Sequence, residues 1–284
     1  MERTFRLVMA CPDRVGIVAK VTTFLATYNG WITEASHHAD SANGWFYMRN
    51  EVKASSLPFD IDSFRMAFEP IAKEFQMHWH IADSGQQKRI VLMASKESHC
   101  LADLLHRWHA KEMDGEVVAV ISNHNDLRRM VEWHDIPFHH VPVNPADKAP
   151  AFSEVEKLID GYQADVIVLA RYMQILPPSL CHTQAGRIIN IHHSFLPSFA
   201  GAKPYHQAYQ RGVKLIGATC HYVTEDLDEG PIIEQDVIRV NHSDRIEDMV
   251  RLGKDVERQV LARGLRYHLE DRVIIHQNKT VVFE

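Results

Sequence analysis

The sequence predicts an α/β protein of two domains, and three observations predict it. Residues 3–82 read strand, helix, strand, strand, helix, strand, which is the ferredoxin-like β-α-β-β-α-β order. A polar, turn-rich stretch, Asp83–Gln87 (DSGQQ), then breaks the pattern. Beyond it apolar strands alternate with helices, the signature of a doubly wound, mostly parallel sheet. The expected domains are residues 1–83 and 88–284.

In the first domain, Arg3–Ala10 is a strand and Cys11-Pro12-Asp13-Arg14-Val15-Gly16 a turn. Ile17, Val18, Val21, Phe24 and Leu25 recur at helical spacing over Ile17–Tyr28, and Asn29-Gly30 stops that helix. Trp31–His38 and Trp45–Val52 form two strands around the polar turn Asp40–Gly44. Phe59–Phe75 is a helix expected to break or end around Pro70, and Gln76–Ala82 alternates as a strand.

In the second domain the strands are Arg89–Ser95, Glu116–Ser122, Phe138–Val143, Ala164–Ala170 and Arg187–His193. Helices fall near Leu101–Ala110, Asn125–His134, Ala151–Tyr162 and Pro177–Thr183. The continuous apolar run Val166–Ala170 suits a strand covered on both faces. After Leu215 two more strands (LIGATCHYV and IIEQDVIRV) precede a long helix, Arg245–Leu269, and a short closing strand, Thr280–Phe283.

Composition excludes several classes. With 284 residues, 45% hydrophobic and 24% charged, both halves are able to bury a core. A net charge of −6 without a Lys/Arg stripe argues against nucleic acid or an anionic membrane as main partner. No apolar run approaches the ~20 residues of a membrane helix. The charged start MERTFRLVMACPDRVG is a poor secretory signal, so a cytoplasmic location is expected. Cys11, Cys100, Cys181 and Cys220 form no C-x-x-C pair and are expected to be reduced, structural and not metal-binding. The 19 histidines prove nothing by number. There is no G-x-S-x-G elbow, G-x-G-x-x-G fingerprint or Walker loop.

Two stretches carry chemistry. Ile188–Pro197 (IINIHHSFLP) is a buried strand ending in polar residues, and ligands of open α/β sheets bind beyond the C-terminal strand ends. Alternation places Asn190 and His192 on one face and His193 on the other. An amide donor beside an imidazole is able to hold an oxyanion and shuttle a proton; a polar strand end with satisfied hydrogen bonds fits the same spacing. Thr219–Gln235 (TCHYVTEDLDEGPIIEQ) crowds Glu225, Asp226, Asp228 and Glu229 before Gly230-Pro231. Such crowding is expected to raise a carboxyl pKa toward that of a general base. Asp228, two residues before the bend, is the candidate inward carboxylate, and the other three fit a solvated acidic turn.

N-I-H-H-S-F-L-P followed by L-D-E-G-P resembles the formyltransferase fold of enzymes that use 10-formyltetrahydrofolate, over roughly Lys88–Glu284. The resemblance implies a catalytic set of Asn190, His192 and Asp228. LARYMQIL (Leu169–Leu176) is similar to that family's folate wall, implying that Arg171, Met173, Gln174, Ile175 and Leu176 line a pterin site with Thr224 and the backbone of Val223–Asp228. Plain core is the alternative reading for Met173, Ile175 and Leu176.

Departures from the transferase pattern point to a hydrolytic branch. Where the transferases carry a glycine-containing loop suited to a ribonucleotide phosphate, this chain has Ser95-Lys96-Glu97-Ser98-His99-Cys100. The doublet His192-His193, the segment Gly201-Ala202-Lys203-Pro204-Tyr205-His206-Gln207-Ala208 and the added N-terminal half resemble the formyltetrahydrofolate deformylase family. That resemblance implies hydrolysis of 10-formyltetrahydrofolate to tetrahydrofolate and formate, supplying formate for purine synthesis. His193, Lys203 and Tyr205 are then expected to shape the space for water. No cofactor or metal is implied, the folate being the substrate. The alternative is transfer of the formyl group to an amine acceptor; a metal hydrolase is disfavoured because the spacing is Asn-x-His, not His-x-His.

The first domain resembles an ACT domain, a small-molecule sensor of the same element order. The resemblance implies a homo-oligomer with methionine and glycine as effectors, contacted by Asp13, Gly16 and Asn29. Asp13 also fits a simple helix N-cap.

Overall fold

The computed structural model describes residues 2–198 and 204–284 and divides into two compact units. The first is Met1–Gln87 with Glu270–His276 and Val281–Glu284; the second is Lys88–Leu269 with Gln277–Thr280.

The first unit runs β1 (Thr4–Pro12), α1 (Ile17–Thr27), β2 (Ile32–Asp40), β3 (Trp45–Lys53), α2 (Ile61–Glu74) and β4 (His78–Asp83). Its four strands lie in the order β2-β3-β1-β4, antiparallel throughout. Alternation along β1 divides its side chains between two faces. Phe5, Leu7 and Met9 join Val21, Leu25, Phe64 and Phe68 in the main core. Val8 and Ala10 face Tyr47, Ile274 and Phe283.

Three expectations are corrected here. β1 continues through Cys11 and Pro12, because both pair with β3. α2 runs unbroken past Pro70, held by buried Phe68, Ile71 and Ala72 on either side of it. The C-terminal strands β12 (Val273–His276) and β13 (Lys279–Val282) form a hairpin whose Ile274 lies with the first unit's core, as does Phe283 just after it, so the whole of 88–284 is not one domain.

The second unit is a seven-stranded sheet in the order β11-β10-β9-β8-β5-β6-β7. In chain order it comprises β5 (Arg89–Ala94), α3 (His99–His109), β6 (Glu116–Ser122), α4 (Arg128–Glu132), β7 (Phe138–His140), α5 (Ala149–Gly161), β8 (Val166–Leu169), α6 (Pro178–Thr183), β9 (Ile188–His192), α7 (Pro204–Arg211), β10 (Leu215–Tyr222), β11 (Ile232–Arg239) and α8 (Ile246–Leu269). From β7 to β9 the strands are parallel; β10 and β11 are added antiparallel. The chain leaves β5 toward β6 and β7, then returns to β8 on its other side. That reversal is a topological switch point, and it opens a crevice beyond the strand ends. α7 was not expected from the sequence.

Candidate active site

A cavity of about 670 Å³ lies beyond the ends of β5, β8, β9 and β10. Asn190, His192 and Asp228 all line it. So do Arg171, Met173, Gln174, Ile175, Leu176, His193, Tyr205 and Thr224. Lys203 lies outside the described residues.

Backbone pairing sets the geometry. β9 and β10 run antiparallel with Thr219 opposite His192 and His221 opposite Asn190. Cross-strand neighbours of this kind have their side chains within reach of one another. The Asn190 carboxamide N–H accordingly donates to His221 Nε2 at 3.2 Å, while His221 Nδ1 donates to the Tyr222 carbonyl at 2.8 Å. Those two bonds define one neutral tautomer, and burial holds the His221 pKa below its ordinary value.

Asp228 comes from the loop between β10 and β11. Its base is closed by Tyr222 N–H bonding the Pro231 carbonyl at 2.9 Å. Gly230 is required there, since a Cβ would fall 1.8 Å from the Tyr222 carbonyl oxygen. Asp228 has φ 60, a left-handed conformation that costs a non-glycine residue about 1–3 kcal/mol and recurs at functional sites. Its Oδ1 lies 3.2 Å from His192 Nδ1 and 3.8 Å from His221 Nε2.

The charge environment of Asp228 reverses an expectation. Burial pushes its pKa up, but the hydrogen bond from His192 and the fields of His192, His221 and His193 outweigh it, so the carboxyl sits below its ordinary range. Glu225, Asp226 and Glu229 are exposed and do not crowd it; Glu225 instead pairs with His182 at 3.1 Å. The carboxylate is therefore firmly ionised, not raised toward neutrality.

His192 is buried, and with Nδ1 facing Asp228 its Nε2 has no hydrogen-bond partner among the described residues. A buried nitrogen in that state costs free energy unless something else satisfies it. His193 does not turn to the opposite face of the sheet. β9 ends at His192, alternation lapses, and the His193 ring sits 5.2 Å from that of His192 and lines the same cavity. Burial first, then the Arg171 charge, push its pKa down to about 4.

The cavity has two unlike walls. The segment after β8 is anchored by Ser95, whose hydroxyl donates to Asn123 Oδ1 at 2.6 Å and accepts from the Met173 amide at 2.9 Å. It presents Met173 and Ile175, which are 55% and 59% exposed, with Leu176 buried behind them. Exposed apolar side chains lining a cavity are not core and offer a surface on which an apolar ligand can pack. Leu176 also belongs to the core of the second unit. Arg171 is different: its Nε faces the buried carboxylate of Glu257 at 3.5 Å. Glu257 also meets His99 Nε2 at 2.7 Å and accepts from the Tyr205 hydroxyl at 2.6 Å. Glu97, in the segment that lacks a glycine loop, pairs with Lys254 at 2.6 Å and lines the cavity.

His221 and Glu257 were not singled out from the sequence. The signal for His221 was a polar alternation, Thr219 and His221, inside an apolar strand. Among the described residues one grouping, His99, Cys100 and Glu257, has ligand atoms close enough to hold a metal ion. The Glu257 oxygens there already serve His99, Tyr205 and Arg171, and a guanidinium beside the carboxylate disfavours a cation. All four cysteines are free and buried. No helix among the described residues is long and apolar enough to cross a membrane.

In the first unit, Asp13 is not the helix cap. α1 is entered through Gly16 at φ 97, with no side-chain cap, and Asp13, Gly16 and Asn29 are all exposed.

The fold and this cavity define a formyl-transfer class of protein, and the family model described as formyl transferase matches residues 88–265. A formyltetrahydrofolate deformylase of Bacillus subtilis (strain 168) is 47% identical over 279 residues, covering 98% of this chain and 93% of the relative. The crystal structure of a formyltetrahydrofolate deformylase from Pseudomonas syringae pv. tomato str. DC3000 superposes with a TM-score of 0.99 at 72% identity, covering all of this chain and 95% of that one. Glycinamide ribonucleotide transformylase 1 from Symbiobacterium toebii matches at a TM-score of 0.65 and 28% identity, over 70% of this chain and 95% of its own. The chain belongs to the formyltetrahydrofolate deformylase family of enzymes.

Proposed function

We propose that this protein hydrolyses 10-formyltetrahydrofolate to tetrahydrofolate and formate. The observation that carries the reading is the convergence of Asn190, His192 and Asp228 in one cavity beside an exposed apolar wall. The transferase alternative has weaker support: the transformylase likeness spans 70% of the chain at 28% identity, against nearly the whole chain at 47% and 72%.

The folate ring lies on the wall of Met173, Ile175 and Leu176, with Gln174, Thr224 and the Val223–Asp228 backbone as polar contacts. Asp228 Oδ1 faces His192, and Oδ2 orients the water. Water oxygen bonds to the formyl carbon while Asp228 accepts its proton. The second N–H of the Asn190 carboxamide and an N–H on His192 Nε2, the ring being protonated on both nitrogens for this step, hold the resulting oxyanion. The C–N10 bond then breaks, the electron pair goes to N10, and a proton delivered through His192 completes tetrahydrofolate as formate leaves. An oxyanion donor contributes about 10²–10³ in rate and a positioned acid or base about 10²–10⁴. Because Asp228 is held ionised, its contribution lies in orientation and charge more than in base strength.

The step as written uses no cofactor, and unchanged activity after chelator treatment checks that. His193 and Tyr205 bound the water's side of the cavity. Formate released by the cytoplasmic enzyme is available to purine synthesis. We assign the first unit to regulation: paired copies bind an amino acid such as methionine or glycine near Asp13, Gly16 and Asn29. The uncapped start of α1 and the exposed Val15 and Val18 support this. The test of the main reading is formate release from 10-formyltetrahydrofolate with no amine present, measured with and without each amino acid. Formate formed only when an amine is added would select the transferase alternative.

A further inference from the structure

One row of side chains crosses three strands at the end of β9. His192 on β9 lies opposite Thr219 on β10, and Thr219 lies opposite Gln235 on β11. Residues opposite one another in this way share a face of the sheet. Thr219 is fully buried, and its hydroxyl uses every hydrogen bond a hydroxyl is able to make. It donates to the Ser194 carbonyl at 2.9 Å, and it accepts from the Leu196 amide at 3.0 Å and from Gln235 Nε2 at 2.9 Å. Gln235 Nε2 also donates to the Leu196 carbonyl at 3.1 Å. Two side chains from the antiparallel strands thus grip the chain just beyond His192.

His193 lies inside the gripped stretch. Alternation continued past β9 would send its ring to the other face of the sheet. Instead the ring lines the cavity, 5.2 Å from the ring of His192 and 6.2 Å from that of Tyr205. The bonds that bend the chain fall on its neighbours Ser194 and Leu196. Arg171, Glu257, His192 and Asp228 are the charged groups whose fields reach the ring, and burial keeps it neutral. A neutral ring leaves the positive charge of the oxyanion step to His192; a second imidazolium beside it would oppose that charge.

We infer that Thr219 is a positioning residue for the reaction: its hydroxyl, backed by Gln235, bends the chain after β9 so that His193 faces the cavity and packs beside His192. Thr219 is not itself a cavity-lining residue, and it acts through His193. The inference rests on the hydrolase reading for its effect on rate.

The test is a double-mutant cycle in the full-length protein, read as formate release from 10-formyltetrahydrofolate without amine. Thr219→Val keeps the volume and removes the hydroxyl. It is expected to lower kcat about tenfold or more, the scale of a small misplacement at a reacting centre, with KM for the folate within about threefold of wild type. Thr219→Ser restores the hydroxyl and should keep kcat within about threefold of wild type. His193→Gln lowers kcat by itself, and Thr219→Val added to it should cost less than about twofold more, because the ring through which the hydroxyl acts is already gone. Gln235→Met removes both amide donors at a half-buried position; it should show the same pattern more weakly, and it decides the matter if Thr219→Val does not fold. The His193 ring resonance gives a readout apart from turnover: in Thr219→Val its pKa should move from about 4 toward the ordinary 6.5. A folded Thr219→Val with wild-type kcat, or one that costs as much in the His193→Gln background as alone, would overturn the inference. Wild type releasing no formate without an amine would instead sink the hydrolase reading, and the His193 titration would still decide whether Thr219 sets the ring.

Discussion

The two walls of the cavity are built on opposite principles. One is apolar and open, with Met173, Ile175 and Leu227 more than half exposed. The other is charged and closed, with Tyr205 and Glu257 buried and Arg171 strained. An apolar surface left in water awaits a flat apolar ligand. On the charged wall the Glu257 carboxylate is held by Tyr205 and His99, while Arg171 Nε, 3.5 Å from it, has no hydrogen-bond partner among the described residues. In the same cavity stand Asn190, His192 and Asp228, the three groups proposed to meet the formyl carbon.

Four outcomes sharpen or break this comparison. The largest effect belongs to these three groups. Asp228→Asn and Asn190→Ala should each lower kcat by about 10²–10³ with thermal unfolding near that of wild type. Wild-type turnover in either purified variant contradicts the assignment.

The next effect lies on the closed wall. With its pKa pushed down to about 4, His193 is neutral in the folded protein over a range where the unfolded chain, near 6.5, is protonated. The unfolded state then binds more protons, so stability rises with pH between about 4 and 6.5 and falls as acid is added. One such group contributes at most about 1.4 kcal/mol per pH unit. His193→Gln should flatten that slope in denaturant titrations at pH 4.5 and 6.5; an unchanged slope would show that the ring is not held neutral.

On the open wall, Met173→Ala and Ile175→Ala should raise KM about threefold each with little change in kcat, since the burial they lose is the same in ground and transition states. A fall in kcat at constant KM would place these residues at the reacting centre. The smallest effect is a flat line. Asp228 is held below the ordinary carboxylate range, so kcat/KM should show no acid limb from this group above about pH 5. An acid limb near neutrality that disappears in Asp228→Asn would restore a raised carboxyl.

Much of this was legible in the sequence because it is local. Strand–helix alternation revealed the parallel sheet, and period two along β9 put Asn190 and His192 together. The Gly-Pro turn singled out Asp228 among four acids. What escaped depends on distant pairing. His221 matters because β10 lies antiparallel to β9 in one register, which no single segment displays. Glu257 hides in a helix rich in charge, although it shares the buried stripe of Gly253, Val260, Leu261 and Gly264. The Asp228 pKa was misjudged because neighbours in sequence, Glu225, Asp226 and Glu229, face water, while the imidazoles that govern it come from two strands. The C-terminal hairpin was misplaced because its two short strands carry few residues, and their affiliation is set by Val8, Ala10 and Tyr47 far away in the chain.

The most direct measurement of water as the acceptor is a single turnover of 10-formyltetrahydrofolate in ¹⁸O-labelled water without any amine. Formate carrying one ¹⁸O atom per molecule is the predicted product, and its yield should collapse in Asp228→Asn. Unlabelled formate, or labelled formate at the wild-type rate from Asp228→Asn, would contradict the account.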